Sequence, residues 1–295
     1  MPTTVTFYIV TPSYNALNWL RRCMRSVADQ VSPGLCVHHH VQDGGSTDGT
    51  REWLNDWQRT HAGISGYRFS FESARDQGMY DALNIAWQRL PEDADLTAHL
   101  NSDEQYLPGV LSEISSSMKL HPRADIALSS YLVLNKDCQY LSHRRPTRPS
   151  YILSRTICQI ITCACFHRVQ SFRRSGVRFD TTYRALADLI FYRDIMAAKP
   201  TVLRLPKLFT SAFCLTGSNL SWSKLQLEDE LRLNKSLPKY LVKLRPLLAK
   251  WNNANNLLCD MLCEAPNQYS VYLDAEHPRH RFTISQPTAR WHSAT

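Results

Sequence analysis

Apolar runs and helical stripes alternate through the first hundred residues. Val5–Val10 is apolar except for Thr6 and predicts a buried strand. Thr11-Pro12-Ser13-Tyr14-Asn15 interrupts it. Leu17, Leu20, Met24 and Val27 then recur at helical intervals, with Asn15 as the expected cap. Leu35–Val41 predicts a second strand, which runs into Gln42-Asp43-Gly44-Gly45-Ser46 before a helix through Trp53, Leu54 and Trp57. Tyr67–Phe71 predicts a third strand, and Met79–Leu90 a helix with Tyr80, Leu83 and Trp87 on one face. Leu96–Leu100 predicts a fourth strand, which ends at Asn101-Ser102-Asp103-Glu104. Pro108 then opens a helix that turns Leu111, Ile114 and Met118 inward. Strands alternating with helices at this interval imply an α/β domain, a mostly parallel, Rossmann-like sheet flanked by helices.

Beyond residue 120 the rhythm changes. Asp125–Leu134 predicts a strand, His143–Pro149 a basic, proline-rich turn, Asp180–Ala198 a helix and Thr201–Leu208 another strand. From Ser223 the pattern is helical again, with Leu225, Leu231, Leu237, Leu241, Leu244 and Leu248 among Lys235, Lys239, Lys243 and Arg245. Residues 265–295 show little periodicity and are expected to be partly irregular or mobile. The chain thus divides into an α/β domain, 1–220, and a helical, basic C-terminal extension, 221–295.

Charge is distributed unevenly along the chain. Residues 1–110 carry eight basic and thirteen acidic side chains, a net of −5, whereas residues 111–295 carry +13. An acidic first part suits a site that collects a metal ion; a basic second part suits an anionic partner or a solvated surface. No recognised nucleic-acid motif accompanies the excess, so nucleic acid is not the expected partner. For the Leu- and Lys-rich segment two readings stand: a helical cap packed on the domain, or an amphipathic anchor on an anionic membrane surface. No apolar run approaches the length of a spanning helix. The nine cysteines form no dense framework, and the first residues lack a basic and an apolar signal region. Reduced thiols in a cytoplasmic protein are the expectation, with peripheral placement at the membrane's inner face under the anchor reading. Cys163, Cys165, Cys259 and Cys263 lack the paired spacing of a zinc knuckle and read as buried thiols. His38 and His40 share a strand face and read as sheet-packing residues.

Four clusters carry chemistry. Asp43-Gly44-Gly45-Ser46-Thr47-Asp48-Gly49-Thr50 joins a strand to a helix, where glycines admit close backbone approach and a helix start favours anions; Asp43 is placed to bond a base or ribose. Asp76 lies in the loop before a helix, and Asp81 and Asn84 need partners if that helix face is buried. Asn101-Ser102-Asp103-Glu104 puts oxygen ligands at a strand end, which suits Mg²⁺ or Mn²⁺. Asp188 is an acid in an apolar, aromatic stretch, where burial raises its basicity.

Together, T-P-S-Y-N (11–15), Q-D-G-G-S-T-D-G-T (42–50), D-Q-G-M-Y-D-A-L-N (76–84) and L-N-S-D-E (100–104) resemble the family-2 inverting glycosyltransferases with the GT-A fold, over roughly residues 5–220. The resemblance implies an enzyme that moves a sugar from a nucleotide-diphosphate donor to a glycan or lipid-linked acceptor, often in bacterial polysaccharide assembly. It implies that Pro12, Tyr14, Asn15 and Asp43 line the nucleoside pocket, with Asp76 near the base or ribose. Asn101, Ser102 and Asp103 stand at the D-x-D motif, with Asp103 on a Mn²⁺ or Mg²⁺ ion that bridges the diphosphate. Asp188 matches the catalytic base, and Thr216-Gly217-Ser218 a later loop near the reaction centre. The sequence departs from the pattern at Asn101, which replaces the first Asp of D-x-D, at Glu104, and at Ala74 and Ala187, where relatives often carry Glu. A nucleotidyltransferase is disfavoured because Val10–Asn15 has neither the glycines nor the basic residue that grip a triphosphate. A non-catalytic nucleotide-sugar-binding or scaffold protein is the alternative, motivated by Asn101 and Ala187.

Overall fold

The computed structural model describes residues 4–217 and 224–290. Four strands, β1 (Val5–Ser13), β2 (Leu35–Asp43), β3 (Tyr67–Ser73) and β4 (Leu96–His99), lie parallel in the order β3-β2-β1-β4. The connecting helices are α1 (Leu17–Ala28), α2 (Thr50–Thr60) and α3 (Met79–Gln88). Two short strands, β5 (Gln105–Tyr106) and β7 (Tyr140–Arg144), flank α4 (Val110–Leu120) and the long β6 (Ile126–Asn135). There follow α5 (Tyr151–Ser154), β8 (Cys165–Arg168), α6 (Val169–Ser175), α7 (Ala187–Ala197) and β9 (Val202–Leu215). The main sheet continues past β4 through β8, β6, β9 and β5, with β7 paired to β6. Its long ladders are parallel, β6 with β9 included, and its antiparallel pairings are short.

The alternation seen in the sequence becomes two cores. Phe7 and Ile9 of β1 enter a cluster with Cys23, Leu111, Ile114 and Phe166, whereas Tyr8 and Val10 enter one on the other face with Leu83, Trp87, Phe179 and Phe191. Each fully buried side chain of this size contributes about 1.5–3 kcal/mol. His38 and His40 do share a face, where both rings pack against Tyr8 and both reach Ser70.

Several elements differ from the sequence expectation. Asn15 does not cap α1: Ala16 is the N-cap residue, and Asn15 adopts a positive φ of 47° with its Oδ1 accepting from Thr47 N. The Leu17 N–H is satisfied instead by Asp48, which lies 31 positions on and is visible only in the fold. The helix expected from Asp180 starts at Ala187, because Asp180 Oδ1 accepts from the Thr182 N–H and hydroxyl and holds a turn there. The strand at Thr201–Leu208 runs on to Leu215, with a register shift near Pro206 of the kind a strand proline imposes. Strands β7 and β8 and helix α6 are too short to show a period.

After residue 223 come α8 (Lys224–Ser236) and α9 (Lys239–Met261); Leu233 of α8, Leu241 of α9 and Leu237 between them join the second core. Residues 265–290, expected to be partly irregular, hold two short strands among loop segments. β10 (Gln268–Val271) and β11 (His280–Thr283) form a hairpin, and Tyr269 and Val271 enter the first core. Side chains fasten it: Gln105 exchanges hydrogen bonds with the Tyr272 backbone, and Arg279 binds Asp29 and the Tyr106 carbonyl. Such pins join residues far apart in the chain and leave no periodic trace. No described helix is long and apolar enough to cross a membrane.

Candidate active site

The parallel ladder determines which loops meet. Ser13 is paired with Asp43, and Asp43 with Ser73, so the loops after β1, β2 and β3 leave one sheet edge in a row. The Leu100 N–H bonds to Val10 O, which brings the turn after β4 to the same edge beside β1. This carboxyl edge is where open α/β sheets bind ligands.

Within the row, Asp43 is fully buried and its carboxylate is engaged by its own loop. Oδ2 accepts from Ser46 N at 3.0 Å and Ser73 Oγ at 2.6 Å, and Oδ1 accepts from Ser46 Oγ. Ser46 Oγ in turn receives Asn15 N at 2.7 Å. Pro12 is buried at the end of β1, and Tyr14 projects beside it, 66% exposed. Asp76 lies against Gly44: a methyl group there would meet Asp76 Oδ2 at 3.0 Å, so the absent side chain makes room for the carboxylate. Asp76 bonds to Gly78 N, and burial, with Asp81 and Asp43 nearby, raises its pKa. The two helix residues needing partners have them. Asp81 accepts from Gln77 N, and Asn84 holds the Phe179 backbone through both its oxygen and its nitrogen.

The turn after β4 is tied by Glu104, whose Oε2 accepts from Asn101 N at 2.7 Å. Burial raises the pKa of both Asp103 and Glu104. Asn101 Oδ1 is buried without a hydrogen-bond partner among the described residues, and Glu104 is faced by the Cys163 thiol. Hard oxygen donors on a turn, partly desolvated and incompletely bonded, fit a small divalent cation. No group of three or more His, Cys, Asp or Glu stands together among the described residues. Mg²⁺ is commonly held by one or two protein carboxylates, with phosphate and water completing its shell.

Asp188 sits in the first turn of α7, half-buried. Its Oδ1 accepts from Leu189 N at 2.8 Å, and the Cys158 thiol lies 3.7 Å from Oδ2. Desolvation pushes its pKa up to about 6, against the lowering effect of those bonds. Tyr80, just after the Asp76 loop, bonds to Ala185 O, and this brings the start of α7 to the start of α3. Sequence reasoning missed what fixes this turn. Asp229 of α8, 5% exposed, accepts from Ala185 N at 2.7 Å and Leu186 N at 3.1 Å. Its only sequence signal is an acid facing inward on a helix. Asp229→Ala strands two amide donors, at about 1–3 kcal/mol. It is expected to lower both the melting temperature and the transfer rate, and a thermal melt alongside an activity assay checks it. Thr216 and Gly217 follow β9, and Ser218 lies outside the described residues.

The family model for glycosyl transferase family 2 matches residues 8–178, more than half of the chain. The chain belongs to glycosyl transferase family 2. It is therefore a glycosyltransferase, and its fold is that of the GT-A enzymes. Residues 1–349 of TarS from S. aureus, solved with UDP-GlcNAc, superpose with a TM-score of 0.58 at 13% identity, covering 95% of this chain and all (100%) of that one. The longer TarS structure is spanned only to 60% of its length. The mannosyltransferase PcManGT from Pyrobaculum calidifontis, solved with GDP-Man and Mn2+, gives a TM-score of 0.58 at 14% identity, covering 88% of this chain and 75% of that one. GalNAc-T7, solved with UDP, GalNAc and Mn2+, gives 0.56 at 12% identity over 79% of this transferase and 48% of that chain. Curated proteins offer no match to its sequence.

Proposed function

We propose that this transferase moves a sugar from a nucleoside-diphosphate sugar to an acceptor hydroxyl with inversion, aided by Mg²⁺ or Mn²⁺, in the assembly of a polysaccharide or other glycan. The observation that carries this reading is Asp188, a half-buried carboxylate with a pKa near 6 at the start of α7, against the same loop system that holds Asp76. A base with that pKa is ionised at neutral pH and still basic enough to take a proton. Asp188 receives the acceptor's O–H proton as the oxygen bonds to the anomeric carbon. The bond from that carbon to the diphosphate breaks on the opposite side, and the nucleoside diphosphate leaves with the electron pair. A single displacement inverts the anomeric configuration. A divalent ion, when bound, neutralises charge on the departing diphosphate. Asp103 is the residue assigned to hold it, with Asn101 and Ser102 beside it on the turn. Pro12, Tyr14 and Asn15 are assigned to the nucleoside. Asp43 acts by fixing the 43–46 loop, and Asp76 packs against that loop at Gly44. A panel of UDP- and GDP-sugars, with and without Mn²⁺, tests donor use. At least one donor is expected to raise the melting temperature more with Mn²⁺ than without it, and no shift with any donor contradicts the reading.

The acceptor in this reading is a glycan or lipid-linked glycan met at an anionic membrane surface. One side of α9 buries Leu241, while Tyr240, Leu247, Trp251, Leu258 and Leu262 recur at helical spacing on another, each more than half exposed. Exposed Lys239, Lys243 and Lys250 border this stripe, and the only acid on α9, Asp260, is bonded to His143 and Arg145. The helix therefore caps the domain with one face and offers an apolar, cation-edged face to a surface. Co-sedimentation should recover the protein with anionic but not neutral liposomes, less so as salt rises. Equal recovery in the supernatant throughout contradicts the surface reading.

A further inference from the structure

Asp188 opens on a cavity of about 270 Å³ that the sequence did not reveal. One wall is β6 and its neighbours, with Ser129, Tyr131 and Gln159. The other comes from the C-terminal helices, with Gln226, Asn252 and Asn256. That volume is near the lower end of small-molecule sites, about 300–1,000 Å³, which fits one sugar ring rather than a nucleotide.

The chemistry of the lining is unusually neutral. Arg144, Arg145 and Asp188 are its charged residues. Arg145 is buried and spent on structure: its guanidinium binds Asp260, Pro206 O and Glu264 O. Arg144 is bonded to Asn253 and Ala289 O. What remains is a set of carboxamides. Asn252 Oδ1 accepts from Thr147 Oγ1 at 3.2 Å and Gln159 Nε2 at 3.3 Å. Asn256, 2% exposed, donates from Nδ2 to Arg145 O at 2.8 Å, and that bond fixes its orientation. Its Oδ1 is buried with no partner among the described residues. A buried carbonyl oxygen without a donor is costly in a folded protein, and a ligand hydroxyl in the cavity would supply one.

We infer that this cavity is the subsite for the acceptor's sugar ring, an uncharged, hydroxyl-bearing carbohydrate. In it Asn252 and Asn256 of α9 bind hydroxyls and present one of them to Asp188. The inference rests on Asp188 being the base. It makes the C-terminal helices part of the binding site rather than an appendage. Asn252 and Asn256 act on acceptor binding and leave the donor end, at Asp43, Asp76 and Asp103, untouched.

Saturation-transfer NMR with methyl glycosides of glucose, galactose, mannose and N-acetylglucosamine tests it, on wild type, Asn252→Ala and Asn256→Ala. At least one glycoside should bind wild type, with its dissociation constant raised tenfold or more in each variant, while the donor-induced thermal shift is unchanged. Asn252 is half-buried, so its variant serves if Asn256→Ala does not fold. No glycoside binding to wild type, or equal binding to wild type and folded variants, overturns the subsite. A missing donor shift in wild type beside Asn-sensitive glycoside binding would instead sink the donor reading and leave the carbohydrate site standing.

Discussion

Asp188→Asn is expected to bind donor as wild type does and to lose on the order of 10²–10⁴ in transfer rate, the usual share of general-base catalysis. The amide keeps the shape and accepts the Leu189 N–H, but it takes no proton. Two further readouts separate loss of the base from simple damage. In wild type, kcat should fall about tenfold per pH unit below about 6, where Asp188 becomes protonated, and the variant should lose that limb. The stability change has a defined sign as well. The folded-state pKa of Asp188 is raised from 3.8 to about 6, so its effect on stability is most favourable below 3.8 and is lost as pH rises through 6. The Asn variant, which has no charge to desolvate, should therefore gain in melting temperature relative to wild type between pH 4 and pH 8. Unchanged turnover at saturating acceptor would move the base elsewhere.

Asp103→Ala is expected to remove nearly all transfer, a loss of at least about 10²–10³, comparable to deleting a preorganised electrostatic contact at a leaving group. The same variant should lose the Mn²⁺-dependent part of donor binding. It should not lose its fold, because the wild-type carboxylate is desolvated and destabilised where it stands. Isothermal titration of donor with and without Mn²⁺ checks the binding, and a thermal melt checks the fold. A variant that retains wild-type transfer in EDTA contradicts metal assistance.

Those two residues were legible in the sequence for different reasons. Asp103 follows an apolar strand at a loop, and Asp188 is an acid in an aromatic run, so each stood out against its neighbours. The first four strands were equally clear, because buried parallel strands are continuous apolar runs. What escaped depends on contacts across the chain. Asp48 rather than Asn15 serves the start of α1, since the loop after β2 folds back over it. Asp229 acts on a turn 43 and 44 positions away, and Asn256 lines a cavity whose other wall is β6. Arg279 and Gln105 pin the terminal hairpin with no repeat to signal it. For the Leu- and Lys-rich segment, the sequence posed a choice between cap and surface, whereas α9 has a buried face at Leu241 and an exposed apolar face at Leu247 and Trp251.

In the proposed reaction, Asp103 and Asp188 carry metal-assisted transfer from a nucleotide sugar. Its most direct test is release of nucleoside diphosphate from a panel of UDP- and GDP-sugars, with a glycan acceptor mixture, in Mn²⁺ and in EDTA. Release from at least one donor is expected in Mn²⁺, abolished by EDTA and by Asp103→Ala and cut on the order of 10²–10⁴ by Asp188→Asn. Release that is equal in EDTA and in both variants, or no release from any donor, would contradict it.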